Sequence, residues 1–122
     1  MDQQELKQRT KDYALRIIKL VKALPRDPTG RVIGNQLLRS GTSVGANYRA
    51  ACRARSKAEF VAKLGIVIEE ADESAFWIEL IIANTLMKKK LVEPLLQETD
   101  EIISIMVVSS NTAQKSQYTK NR

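Results

Sequence analysis

The chain has no histidine, one cysteine and three prolines in 122 residues, and only 5% of it is aromatic. Without histidine there is no His-dependent triad, no imidazole proton shuttle and no His-ligated metal. Cys52 cannot form an internal disulfide and has no imidazole to activate it. It therefore reads as a small apolar side chain, in a chain expected to work in the cytoplasm. The longest apolar-rich stretch, AFWIELIIA, is too short for a membrane span and contains Glu79. The opening MDQQELKQRT lacks the apolar core of a signal peptide. GTSVG sits mid-helix with no GK[ST] and no strand before it, so it is no phosphate loop. EEADE reads as a solvated or arginine-paired face, because a hard-metal cage needs oxygens converging from several segments and helix four adds only Glu98, Asp100 and Glu101. Together these absences leave no enzyme chemistry, no cofactor, no metal and no membrane span to expect.

One further absence is local. From Pro28 to Ala58 there is no acidic residue, while Arg31, Arg39, Arg49, Arg53, Arg55 and Lys57 accumulate. Residues 1–63 carry 14 Lys/Arg against 5 Asp/Glu, and residues 64–122 carry 6 against 9, within a net charge of +6. This split suits nucleic-acid binding by the basic half. It equally suits pairing between oppositely charged helices.

The apolar residues that are present recur at helical spacing. Leu6, Thr10, Tyr13, Ile17, Leu20 and Leu24 make one stripe from about Gln3 to Leu24, and LPRDPTG ends it. A second helix is expected from about Arg31 to Arg55. A third should run from about Lys57 to Met87, opened by the Ser56–Glu59 capping box and closed by MKKK, where cations suit the helix dipole. A fourth should start near Val92 or Pro94, with Leu95, Leu96, Ile102, Ile103, Met106 and Val107 apolar. The expected fold is all-α, an antiparallel up-down four-helix bundle over residues 1–110, with a flexible polar tail at 111–122.

Helix two divides into three sectors. Ile33, Leu37, Ser40, Val44, Asn47, Tyr48 and Ala51 form a core face; Gly34, Gly41, Gly45 and Cys52 form a furrow beside it; Arg31, Arg39, Arg49 and Arg53 form a basic face. Interior glycine costs about 1 kcal/mol relative to alanine, so a line of glycines calls for close helix approach, with a bend as the alternative. Helix three is apolar on its core stripe and, after Asp72, also at Phe76, Trp77, Leu80 and Ile81. A helix apolar all round must be covered all round, which points to a homo-oligomer. Gly41, Gly45, Phe76, Trp77 and Leu80 are the expected interface. Glu69, Asp72, Glu73 and Glu79 are the expected partners of Arg49 and Arg53. Whatever cations remain free, among Arg39, Arg49, Arg53, Arg55 and Lys57, are the candidates for contact with RNA or DNA phosphates.

The run RSGTSVGANYR, followed by ARS.AEF and EADE...W.EL between Leu37 and Leu80, resembles the bacterial four helix bundle proteins, also called 23S rRNA intervening-sequence proteins. The resemblance implies small up-down bundles assembling as pentameric rings, with no established catalytic residues. Related accessory variability proteins of diversity-generating retroelements form basic pentameric barrels that engage RNA or DNA and a reverse transcriptase. Arg39, Ser43, Asn47, Arg49 and Glu69 to Glu79 fall in the shared pattern, whereas Tyr48 and Arg49 replace an isoleucine and an alanine or acid found in many relatives. The expected function is a non-enzymatic oligomeric bundle that contacts RNA or DNA through a basic surface. The alternative is an assembly or adaptor module that binds a protein partner, its charges consumed internally.

Overall fold

A computed structural model describes residues 1–121, with side chains described through Ser116. Four helices follow in order: α1 (Gln3–Ala23), α2 (Pro28–Cys52), α3 (Lys57–Ala83) and α4 (Lys89–Asn121). Each of the first three begins where a short polar side chain satisfies an end amide. The Glu5 N–H donates to Asp2 at 2.8 Å, the Gly30 N–H to Asp27 at 2.8 Å, and the Glu59 N–H to Ser56 at 3.1 Å.

Several boundaries differ from the sequence expectation, among them the α2 end at Cys52 rather than Arg55 and the α4 start at Lys89 rather than near Val92 or Pro94. Helix α2 starts at Pro28 rather than Arg31, because Asp27 caps it and proline is pre-organised for the first helical position. Helix α3 ends at Ala83, four residues before the expected Met87. There the Thr85 N–H bonds the Ile82 carbonyl and the Leu86 N–H bonds the Ile81 carbonyl, at 3.1 and 3.0 Å, with Thr85 at φ 54°. That is a Schellman turn with threonine in the left-handed position glycine usually takes. The KKK run therefore lies in the link and the first turn of α4, not in the last turn of α3.

Helix α4 continues to Asn121, through residues expected to form a flexible tail. After Pro94 it contains no proline or glycine, so nothing local stops propagation of a helix already nucleated by packing. Ser110 is buried and Ser116 accepts a hydrogen bond from the Lys57 ammonium at the start of α3. Arg122 lies outside the described residues.

Neighbours in sequence pack as neighbours in space: α1 on α2, α2 on α3, α3 on α4, with a narrower α4–α1 seam closing the circuit. Short links make each pair antiparallel. All six stripe residues of α1 are buried, and with Leu37, Val44, Leu64, Val67, Ile78, Ile81, Ile102 and Met106 they fill the centre. A polar layer crosses this core. The Tyr13 hydroxyl lies 2.6 Å from Thr99 Oγ1, and the Ser40 and Ser74 hydroxyls lie 2.8 Å apart. These two pairs bring one polar side chain from every helix into the layer. No buried side-chain N or O atom among the described residues lacks a partner.

The furrow on α2 is filled from within the chain. A methyl group at residue 41 would stand 2.8 Å from both Cγ atoms of Ile17, and one at residue 45 would stand 3.2 Å from the Thr10 carbonyl oxygen. Both glycines are buried against α1. The close approach expected of them is real, but its partner is α1 of the same chain. At Gly41 and Gly45 the close neighbour is thus α1 of the same chain rather than the second copy expected there. The short link between α1 and α2 holds the two helices side by side, and Ile17 and Thr10 of α1 occupy the furrow.

Candidate nucleic-acid interface

The arginines of α2 have different fates. Arg39 donates to Glu70 at 3.1 Å and to Glu73, and Glu73 also accepts from Trp77 Nε1 at 3.1 Å. The bond from the Trp77 indole, with the arginine beside it, holds the Glu73 carboxyl below its ordinary range. Arg39 is thus engaged with carboxylates on α3, although its side chain stays half exposed. Arg9 on α1 is engaged too, through a two-pronged contact with Glu98 on α4 at 2.7 and 2.8 Å.

Arg49 and Arg53 meet neither Glu69, Asp72, Glu73 nor Glu79, and among the described residues neither makes an ion pair. Register explains the difference. Ser40 faces Ser74, so the antiparallel partner level with Arg49 is nine residues before Ser74, near Gly65. Glu73 is then eight residues further along α3, about 12 Å away at 1.5 Å per residue. Glu69, Asp72 and Glu79 are solvent-exposed.

Arg49 and Arg53 turn instead toward α1. With Lys7 and Lys11 they line a cleft of about 540 Å³ along the α1–α2 seam, whose floor includes Thr10 and Gly45. No carboxylate lines it; Asp12, which accepts a hydrogen bond from Gln8 at 2.9 Å, is not among the lining residues. The sequence offers Lys7 and Lys11 only as part of a general basic surface on the first two helices, not among the five residues singled out for contact. Their signal was present, as two cations four apart on the polar side of α1, but only the register of α1 on α2 brings them opposite Arg49 and Arg53. Arg55 and Lys57 lie elsewhere, at the end of the bundle, in a separate cleft of about 610 Å³ with Tyr48, Cys52 and Phe60. The five candidates thus divide into an engaged residue, two in the basic cleft and two at the bundle end.

The apolar candidates divide as well. Ile81 is fully buried in its own chain, and Trp77 and Leu80 are half-buried against the same core. Phe76 alone of the group stands well into solvent, 51% exposed, with its ring edge-on to Trp77 at 5.1 Å. Among the described residues no three His, Cys, Asp or Glu side chains are placed to hold a metal ion, and no helix is long and apolar enough to cross a membrane.

The description of the 23S rRNA-intervening sequence proteins matches residues 2–108. The chain belongs to that family. A crystal structure of a protein of unknown function from the S23 ribosomal protein family of Bacteroides thetaiotaomicron superposes with a TM-score of 0.81 at 35% identity, covering 86% of this chain and 97% of the other. No curated protein matches the sequence. In this 23S rRNA-intervening sequence protein the family match ends at residue 108, before the last turns of α4.

Proposed function

We propose that the protein is a non-enzymatic, self-assembling helical bundle that contacts RNA or DNA through the α1–α2 face. The observation that carries this reading is the convergence of Lys7, Lys11, Arg49 and Arg53 on one cleft with no carboxylate in its lining. Like charges held together on a folded surface raise the local potential. That makes a counter-charge partner the favourable occupant, and a phosphate backbone supplies such charge at regular intervals. Assembly rests on the exposed Phe76 beside Trp77, and symmetry would repeat the cleft around the ring that the family resemblance implies.

Titration of labelled RNA and of duplex DNA against salt tests the proposal. Affinity that falls steeply with salt supports it, because phosphate contacts release counterions. No binding of either at low salt overturns it and leaves an adaptor for a protein partner.

A further inference from the structure

We infer that the α1–α2 cleft seats a single nucleic-acid strand by its backbone, lengthwise along the seam, in preference to a duplex. The inference rests on the nucleic-acid reading above and names the form of ligand it takes.

The shape of the cleft comes first. Its floor is where α1 and α2 approach so closely that a methyl group on residue 45 would crowd the Thr10 backbone. Its volume of about 540 Å³ is that of a small-ligand cleft rather than a trough for a double helix. A duplex is a stiff cylinder far wider than one helix–helix seam, so it would rest on the crests. A single strand is slender and flexible enough to lie between them.

The cation spacing comes second. Lys7 and Lys11 form one wall, and Arg49 and Arg53 the other. Each pair is four residues apart on its helix, about 6 Å along the axis. That rise is comparable to the step between phosphates in an extended strand, so consecutive phosphates can meet cations from both walls. Arg49, Arg53 and Lys11 are exposed and Lys7 is partly so, and among the described residues none of the four makes an ion pair.

The chemistry of the lining comes third. Single-strand binders usually combine a basic groove with aromatic rings on which bases stack. No aromatic residue lines this cleft; between the cations stand Gln4, Gln8 and small residues. Recognition here is of the charged backbone, with the bases turned outward. Binding is therefore indifferent to sequence and strongly dependent on salt.

Fluorescence anisotropy with a labelled oligouridylate of about 12 nucleotides, inside the ~4–16 that single-strand grooves span, tests this against a labelled DNA duplex of equal length. The oligouridylate is expected to bind more tightly than the duplex. Four cation–phosphate contacts at about 0.7 each give a log–log salt slope near −3. The double variants Lys7→Gln/Lys11→Gln and Arg49→Gln/Arg53→Gln should each bring that slope to about −1.4. Arg39→Gln, which alters a cation already engaged by Glu70 and Glu73, should leave it unchanged. Circular dichroism of each variant checks that the helices remain. Tighter binding of the duplex, or groove variants that bind like the parent, would overturn the single-strand inference while leaving nucleic-acid contact standing. Absence of binding to either probe would overturn both.

Discussion

The phenol of Tyr13 on α1 and the hydroxyl of Thr99 on α4 lie 2.6 Å apart in the buried centre of the bundle. Burial pushes the Tyr13 phenol up to about 12, against the weaker pull of the Thr99 and Ser74 hydroxyls. An unfolded tyrosine ionises near 10, so the contribution of Tyr13 is complete below about pH 10. As pH rises from there toward 12 the unfolded state loses its proton first, and stability falls, by about 3 kcal/mol in all. Burial shifts Tyr48 upward as well, and it acts in the same direction. Urea midpoints measured from pH 8 to 12 should be flat at first and then decline. Tyr13→Phe should cost about 1 kcal/mol at pH 8 through its lost hydrogen bond and should decline less steeply. Equal declines in the two proteins would contradict the assignment.

Two glycines in helix interiors should respond oppositely to alanine. At residue 65 an added methyl meets nothing within 4 Å, so Gly65→Ala should stabilise by about 0.5–1 kcal/mol through reduced chain entropy. At residue 41 the same methyl stands 2.8 Å from two carbons of fully buried Ile17. Ile17 is β-branched and stiff, so overpacking of about 1–3 kcal/mol should exceed the gain in helix propensity. Thermal melts of the two variants are expected to move to opposite sides of the parent.

Thr85 holds φ 54°, a region costly for a β-branched residue. Thr85→Gly should relieve that strain at the α3–α4 link and stabilise by about 1 kcal/mol. Chemical denaturation would show a raised midpoint with an unchanged slope. A lowered midpoint would mean that the threonine side chain contributes more than its backbone costs.

Phe76→Glu places a charge on a half-exposed apolar site without disturbing the interior, so the helical signal should persist. If Phe76 lies in the contact between copies, light scattering should show the parent as an oligomer and the variant as a smaller species. A parent with the mass of one chain would remove self-assembly from the proposed function.

Much of the fold was written in side-chain spacing. The α1 stripe from Leu6 to Leu24 is buried at every position named from its four-three repeat. On α2 the same holds for Ile33, Leu37, Ser40, Val44, Tyr48 and Ala51, with only Asn47 left partly open. Caps were legible where their chemistry was local, as at Ser56, and overlooked where a proline signalled both a stop and a start, as at Asp27–Pro28. The candidate site was less legible. Arg39 and Arg49 share a basic sector of α2, yet Arg39 reaches carboxylates on α3 while Arg49 faces α1.

Helical period, short links and the two-sided charge balance determined four rods and the face each would bury, because those properties depend on neighbours a turn or two away in the same chain. Which helix fills the glycine furrow, which arginines find carboxylates, and that Lys7 and Lys11 stand across from Arg49 and Arg53 were decided only in three dimensions. A periodic stripe fixes direction around an axis but not the sliding of one rod along another, and an ion pair is made or missed over a few ångströms of that sliding.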